Sequence, residues 1–335
     1  MIKRIIFAIL TICIAVGLSL FPIAARAVAA EKTILATTFP IYQITRNVAQ
    51  GRDGVKIDLM LSSQMGCPHD YALTPQDMQK LAKADILVVN GLGMEEFLGA
   101  PVKKANPRIT VIDSSMGIRE TINYSGAHEH HHHAHGHAKA LRHDEISDHG
   151  HAHHSDEKHH HHAGVNPHLF ASPKMTAKLA MSIAKGLSKA DPKGAAVYLK
   201  NARAYAGEMN KLAGDMAALG KRLKNNRIVQ PHGVFDYLAR DMGLAVVAVM
   251  QPHGQEPSAS EMIHLVKTIR GKRAGAIFTE PQYPEKAGKT LSKETGVPVA
   301  VLDPAATGPE NAPLAYYETI MRRNMKTLEL ILGVK

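Results

Sequence analysis

The sequence predicts an α/β protein with two lobes, each a parallel-type sheet with flanking helices, joined by one long rigid helix. Short β-branched runs alternate with helical segments early in the chain, and the same alternation returns after about Asn225. A long amphipathic segment separates the two regions. Alternating strands and helices are typical of parallel sheets covered on both faces. We therefore expect an N-terminal lobe over residues 30–190, a linker helix over 191–223 and a C-terminal lobe over 224–335.

Each lobe contains four runs with the composition of buried strands. They are KTILATTF, VKIDLML, DILVVNG and RITVIDS in the first lobe, and RIVQ, LAVVAVM, AGAIFTE and PVAVLD in the second. A helix is predicted over Thr74–Ala84, where Pro75 suits the first turn. Ser258 and Glu261 form a capping box for a second helix, Ala259–Arg270. These start signals separate the strands as a βαβ architecture requires.

The linker helix is predicted from its start signal and its apolar spacing. Asp191 and Pro192 supply a cap and a first-turn proline, and apolar residues then recur every three or four positions as far as Leu223. A helix of about 30 residues spans about 45 Å, enough to run along two lobes. Two shorter helices, broken near Gly207 or Gly214, are the alternative, although glycine inside a helix costs only about 1 kcal/mol.

The first 29 residues have the features of a secretory signal. Lys3 and Arg4 precede the apolar run Ile5–Phe21, and a small-x-small cleavage pattern follows at residues 27–29. The run is shorter than the about 20 residues of a spanning helix, so removal is expected rather than anchoring. The mature protein is expected to be soluble and periplasmic. Cys67 would then be its only cysteine, which excludes an internal disulfide.

Composition and motifs disfavour two broad functions. The net charge is +10, but the basic residues are dispersed and no basic run is interleaved with aromatics, so nucleic-acid binding is disfavoured. The chain contains no GxSxG or Walker motif, and no GxGxxG after a strand. We therefore expect a binding protein rather than an enzyme.

A histidine-rich segment belongs to neither predicted lobe core. Residues 128–162 contain 16 histidines, with acidic residues among them and almost no apolar ones. Such a segment cannot bury enough surface to fold, so we expect disorder. Its composition favours an auxiliary, weak metal-binding loop, and a polar linker without a metal role is the alternative. Eight histidines in two runs are its strongest candidates: His130, His131, His132, His133, His159, His160, His161 and His162.

Four residues are candidate metal ligands because of their places in the βα pattern. His69, His232 and Asp303 follow predicted strands, and His168 precedes a helix. Ligands of open α/β sheets bind outside the carboxyl ends of the strands, so two facing sheets would bring these four into one cleft. A proline directly precedes each histidine and would stiffen its loop. Three imidazoles and a carboxylate suit tetrahedral zinc, although a lone loop histidine is more often an ordinary surface residue.

Four further residues are expected near this site in supporting or alternative roles. Cys67 could approach the metal, since positions i and i+2 share a side of an extended segment, but a small buried residue is the simpler interpretation. Tyr71 is expected to pack or to orient a neighbour. His253 follows a strand and a proline, and Glu280 ends another strand and could orient a ligand.

Several motifs together resemble one known family along nearly the whole mature chain, apart from the histidine-rich segment. CPHDYALTP, NPHLFASP, DPKGAAVYLKNARAY, PHGVFDYLARDMGL, AIFTEPQ and VAVLDP follow in the order found in zinc/manganese-type substrate-binding proteins of ABC transporters (cluster A-I, ZnuA-like). The resemblance implies two lobes joined by a rigid helix, with one metal ion in the cleft for delivery to a membrane permease. The ligands it implies are His69, His168, His232 and, as in many members, Asp303.

Two departures from the family pattern bear on the metal. Some zinc-type members have a glutamate before the first histidine, where this chain has Pro68, and manganese-type members commonly have a carboxylate in place of His232. The second departure favours zinc, because manganese prefers more oxygen ligands. The expected function is a monomeric periplasmic Zn(II) receptor of an ABC permease. A manganese or iron receptor, and an exported zinc hydrolase with Glu280 as general base, are the alternatives.

Overall fold

Two four-stranded parallel sheets of the same strand order form the framework of the protein. The computed structural model describes residues 31–68, 71–124, 164–251 and 256–335. The predicted signal segment and the histidine-rich segment 128–162 lie outside the described residues. None of the helices in the described ranges has the length and hydropathy needed to cross a membrane.

The first sheet contains the four strands predicted for the N-terminal lobe. Its strands are β1 (Lys32–Ala36), β2 (Val55–Leu59), β3 (Ile86–Val89) and β4 (Thr110–Asp113). Their order is β2-β1-β3-β4, and every pair is parallel. The central strands β1 and β3 are the most buried, as expected for β-branched runs covered on both faces. Leu35, Leu81 and Leu87 belong to one of the clusters that fill this lobe.

The second sheet repeats the same arrangement with the four strands predicted for the C-terminal lobe. Its strands are β5 (Arg227–Gln230), β6 (Ala245–Val249), β7 (Ala276–Thr279) and β8 (Val299–Val301). Their order is β6-β5-β7-β8, again parallel throughout. Each sheet reverses its winding direction between its two central strands, which are β1 and β3 in one and β5 and β7 in the other. This is the point at which open α/β sheets bind ligands.

Nine α-helices connect and cover the strands over the described residues. They are α1 (Phe39–Ala49), α2 (Pro75–Lys83), α3 (Gly99–Ala105), α4 (Pro173–Ala190), α5 (Ala195–Arg222), α6 (Asp236–Met242), α7 (Ala259–Gly271), α8 (Lys286–Thr295) and α9 (Tyr316–Leu332). Both predicted start signals are present, since Thr74 with Asp77 caps α2 and Ser258 with Glu261 caps α7 in reciprocal capping boxes. The predicted two-lobed α/β fold is confirmed.

The long helix α5 joins the two halves and is continuous through Gly207 and Gly214. The alternative of two shorter helices is therefore wrong. It packs against α1 and α4 on the N-terminal side and against α6 and α9 on the C-terminal side. Its start is held by Asp191, which accepts hydrogen bonds from Arg52 Nε at 3.0 Å and from the Tyr198 hydroxyl at 2.7 Å. The helix thereby forms a rigid spine shared by both lobes.

Candidate metal centre

Three potential metal ligands converge where the two halves meet. Ligand atoms of Cys67, His168 and His232 all lie within 4.8 Å of one another. Cys67 lies in the loop after β2, His168 directly precedes a 3-10 turn that leads into α4, and His232 lies two residues past β5. Two imidazoles and a thiol are donors suited to zinc. Residues distant in sequence therefore form one compact donor set.

His168 is held in one orientation by Asn166. The Asn166 Oδ1 atom accepts from the His168 backbone N–H at 2.9 Å and lies 2.8 Å from its Nδ1. Since Oδ1 can only accept, Nδ1 carries the ring proton, and Nε2 keeps the lone pair that a metal requires. The loop is fixed further by Asn90, which follows β3 and donates from Nδ2 to the Pro167 carbonyl at 3.0 Å. His168 is completely buried.

Asn166 also connects the His168 loop to the loop that carries His232. Its Nδ2 donates to the Gly233 carbonyl at 2.8 Å and to Asp236 Oδ2 at 2.9 Å, while its own carbonyl accepts from the Tyr237 hydroxyl at 2.7 Å. Asn166 is itself fully buried. A buried network with every member bonded fixes geometry strongly. The two histidines are therefore positioned relative to each other before any ion arrives.

His232 is oriented by the buried carboxylate of Glu280, the first residue past β7. The two groups are 2.9 Å apart, from His232 Nδ1 to Glu280 Oε1, and Glu280 is fully buried. Burial alone would lower the pKa of His232, but the adjacent carboxylate outweighs it and holds that pKa well above its ordinary value. Because the Nδ1 atom of His232 bonds to Glu280, an ion would bind this ring at Nε2. Glu280 therefore orients the His232 ring, and its role beside a metal ligand stays a prediction.

Aromatic rings and a glycine shape the space around the histidines. The rings of His168 and His232 lie 5.2 Å apart, edge to face, with Tyr124 at 5.9 Å from His168 and Tyr283 at 5.9 Å from His232. Gly233 has φ +84°, and a Cβ there would lie 2.8 Å from the Tyr124 ring. Only glycine therefore fits the turn after His232 without displacing that ring. Aromatic rings therefore border both histidines.

Cys67 comes from the N-terminal lobe and touches the C-terminal residues of the site. Its ligand atom lies within 4.8 Å of those of both histidines. Burial raises the pKa of the thiol, an effect that the nearby His232 imidazole partly offsets. The preceding Gly66 has φ +76°, and a Cβ there would lie 3.1 Å from Gln282. The close approach of Gly66 brings the thiol against the second half of the site.

The predicted ligand Asp303 lies in a different environment. Its Oδ2 lies 3.2 Å from Arg323 Nη2, and its Oδ1 accepts from the Ala305 backbone N–H at 2.8 Å. Burial raises the pKa of its carboxyl, although the Ala305 N–H and Arg323 act against that rise. Asp303 does not belong to the set formed by Cys67 and the two histidines. Its role as a ligand stays a prediction.

Of the remaining predicted site residues, Tyr71 packs away from the histidines, and the others lie outside the described ranges. The Tyr71 hydroxyl donates to Asp77 Oδ2 at 2.6 Å, and its ring packs edge to face on Phe97 at 5.3 Å, so Tyr71 supports the start of α2. His69 and His253, like the eight histidines of the histidine-rich segment, lie outside the described residues.

Three residues that shape the site were not predicted from the sequence: Tyr124, Asn166 and Asp236. A signal for Asn166 was present in NPH, because asparagine commonly bonds the backbone N–H two residues ahead in an Asx turn. That bond is the one from the His168 N–H to Asn166 Oδ1. No local pattern marks Asp236, whose partner Asn166 lies 70 positions earlier in the sequence.

The fold and the candidate site define a two-lobed α/β protein with a candidate metal centre between its halves. Residues 34–330 match the family model described as ZnuA, zinc-uptake complex component A, periplasmic. The chain belongs to this family. The resemblance that the motifs indicated is thereby confirmed.

Individual relatives agree with this assignment. The zinc-binding protein AdcA of Streptococcus pyogenes serotype M1 is 32% identical over 308 residues, which cover 90% of this chain and 56% of that protein. This chain thus spans about half the length of that relative. The high-affinity zinc uptake system protein ZnuA of Bacillus subtilis is 26% identical over 90% of this chain and 88% of its own. The solved structure of the SBP FpvC of Pseudomonas aeruginosa in complex with Mn²⁺ superposes with a TM-score of 0.70 at 26% identity, over 90% of this chain and 98% of that one.

Proposed function

We propose that this protein is a periplasmic receptor that binds Zn(II) with high affinity and delivers it to the membrane permease of an ABC transporter. The observation that carries the proposal is the convergence of Cys67, His168 and His232 at the meeting point of the two lobes. Both histidines have their Nδ1 atoms held by other residues, so each can present Nε2 to one ion. An oriented set of this kind loses little freedom on binding.

The chemistry of the donors favours zinc over manganese. Imidazole and thiolate suit zinc, whereas manganese is bound chiefly by carboxylate, carbonyl and water oxygens. Glu280, the carboxylate nearest the histidines, lies on His232 Nδ1 and accepts from Gln282 Nε2 at 2.6 Å, so its oxygens are engaged. The names of the AdcA and ZnuA relatives agree with zinc, while the structure of FpvC with Mn²⁺ keeps a manganese receptor as the competing proposal.

Hydrolysis is the less favoured alternative, and we propose that the protein is not an enzyme. A zinc hydrolase needs an open metal position and a carboxylate free to take a proton from water. Glu280 is the candidate base that the sequence offers, and its carboxylate instead lies 2.9 Å from His232 Nδ1. A monomeric carrier also needs no catalytic group, only a closed site that can be opened at the permease.

Three parts of the prediction lie beyond the described site and are proposed on sequence grounds. His69 is proposed as a further nitrogen ligand. Asp303 is proposed as a ligand only if it leaves Arg323. The histidine-rich segment 128–162 is proposed to collect or sense zinc at additional, weaker sites.

The direct test is a competition titration of the metal-stripped mature protein with zinc and manganese against a chelator of known affinity. We expect one tight zinc site and much weaker manganese binding. Replacement of His69, His168 and His232 together by alanine should abolish the tight site. His264→Ala is the matched control, because this histidine is exposed on α7, away from the cleft.

Two outcomes would contradict the proposal. Tight zinc binding that survives the triple replacement would place the site elsewhere, and tighter binding of manganese than zinc at equal free concentrations would favour the competing receptor. Deletion of residues 128–162 provides an internal check, because it should remove the weaker sites and leave the tight one. Loss of the tight site on deletion would place the principal ligands in that segment.

A further inference from the structure

We infer that Cys67 is itself a ligand, and that the transported ion is bound through a metal–sulfur bond to its thiolate. This inference rests on the proposed metal-receptor function and deepens it, because it identifies the donor that determines which metals the site accepts. The sequence alone favours a small buried residue at this position. The structure changes that interpretation by placing the thiol among the ligand atoms.

The first step is geometric. Tetrahedral zinc, with bonds of about 2.3 Å to sulfur and about 2.0–2.1 Å to nitrogen, separates its ligand atoms by about 3.3–3.6 Å. In this protein the ligand atoms of Cys67, His168 and His232 lie within 4.8 Å of one another without an ion. Side-chain shifts of about 1 Å or less would bring all three onto one ion. No rearrangement of the fold is required.

The position of the Cys67 thiol relative to His232 is the second observation. The Cys67 thiol lies within 4.8 Å of a ring nitrogen of His232, although the two residues come from different halves of the molecule. The Nδ1 atom of His232 bonds to Glu280, so an ion would bind this ring at Nε2. The thiol and Nε2 can therefore reach the same ion.

The third step concerns the loop that carries the thiol. Gln64, three residues before Cys67, donates from Nε2 to the Gly308 carbonyl at 2.7 Å, and the Gly308 N–H donates to the Ser63 carbonyl at 3.0 Å. Gly66 packs against Gln282 and lies close to the Tyr283 hydroxyl. These bonds tie the loop to the C-terminal half and maintain the sulfur in place. A ligand on so constrained a loop is pre-organised.

The chemistry of binding is simple and balanced. The S–H bond breaks, its proton passes to solvent, and the sulfur lone pair forms a bond to the divalent ion, with no change of oxidation state. Soft sulfur favours zinc and cadmium over manganese. Sulfur thus gives the site a selectivity that three imidazoles alone would not give.

Cobalt(II) is the probe that reports this bond, because a cobalt–thiolate bond gives a charge-transfer absorption in the near ultraviolet that imidazole and carboxylate ligands do not give. The metal-stripped mature protein, kept reduced by a phosphine that does not bind metals, would be titrated with cobalt(II). We expect the charge-transfer band to saturate at one equivalent. Cys67→Ser should lose the band, and its zinc affinity should fall more than tenfold. Ser260→Ala, at an exposed position on α7 outside this loop, is the control and should keep both.

The outcomes separate this inference from the proposed function. A protein that binds one cobalt or zinc ion tightly but shows no charge-transfer band overturns Cys67 as a ligand and leaves the receptor function standing. A protein that binds neither ion tightly overturns both. Loss of the band in Cys67→Ser with visible d–d absorption retained would show that the variant still folds and binds, and that only the sulfur bond is lost.

Discussion

His232 and Asp303 hold equivalent places in the second sheet, yet the structure uses them differently. Each lies two residues past the end of a strand, His232 after the central β5 and Asp303 after the edge strand β8. Since β7 lies between them, their strands are about 9–10 Å apart. His232 joins the donor set, whereas Asp303 faces Arg323.

The comparison shows that a strand end determines where a side chain starts, while neighbouring groups determine where it is directed. Glu280 directs the His232 ring by taking its Nδ1. Arg323 and the Ala305 N–H hold both carboxylate oxygens of Asp303. Replacement of single residues separates side chains that bind the ion from side chains that are held by other groups.

Replacement of a histidine in the donor set should have the largest effect. His168→Ala removes one of the Nε2 ligands, and zinc affinity should fall by more than about 100-fold, since even partners outside the ligand shell are worth about 10–100-fold. Competition with a chelator measures this loss, with His264→Ala as control. An affinity within about tenfold of the wild-type value would show that His168 is not a ligand.

Removal of the residue that orients His168 should have the next largest effect. Asn166→Ala deletes the acceptor for His168 Nδ1 and the two bonds to the Gly233 and Asp236 loop. Zinc affinity should fall by about 10–100-fold.

Asn201→Ala is the matched control for Asn166→Ala. Asn201 donates to the carbonyls of Val48 and Gln50, at 3.1 and 2.7 Å. Its replacement therefore removes a carboxamide that donates two hydrogen bonds, as Asn166 does, but away from the cleft. Equal zinc affinities for the two variants would contradict an orienting role for Asn166. Thermal unfolding of both, without metal, separates a change in stability from a change in the site.

The Glu280–His232 pair predicts a pH dependence for the metal-free protein. Because Glu280 holds the folded pKa of His232 well above the unfolded value of about 6.5, the pair stabilises fully below that value. The stabilisation is lost as pH rises through the folded pKa. Glu280→Gln should therefore lower the free energy of unfolding more at about pH 6 than in alkaline solution, and should weaken zinc binding by about tenfold.

Urea unfolding at the two pH values measures the effect of Glu280→Gln, with the exposed Glu294→Gln on α8 as the control. A destabilisation of equal size at both pH values would show that the charge of His232 is not coupled to Glu280. Retention of the full zinc affinity would show that the orientation of His232 does not depend on the carboxylate.

Replacement of Asp303 should have the smallest effect and decides the comparison directly. With its carboxylate held by Arg323, Asp303→Asn should change zinc affinity by less than about fivefold, which corresponds to about 1 kcal/mol. Arg323→Gln should have a similarly small effect. A loss of more than about 100-fold in Asp303→Asn would establish the ligand role that the sequence predicted.

The fold followed from the sequence because its signals are local and repeated. Strand runs, capping boxes and the spacing of α5 each depend on residues close together in the chain. The site followed only in part: the place of His168 follows from a helix start, that of His232 from a strand end, and both from flanking prolines. The environment of Asp303 depends on Arg323, 20 residues later on α9, and local patterns do not reveal it. Local patterns also do not reveal that Cys67 lies near His232, because their proximity depends on how the two lobes face each other.

The most direct test of the donor set is X-ray absorption at the zinc edge of the mature protein loaded with one equivalent of zinc. The structure predicts one sulfur at about 2.3 Å together with nitrogen ligands at about 2.0–2.1 Å. Deletion of residues 128–162 should leave this shell unchanged, since the tight site lies outside that segment. A shell of nitrogen and oxygen without sulfur would contradict the central claim that the ion is held by Cys67 together with His168 and His232.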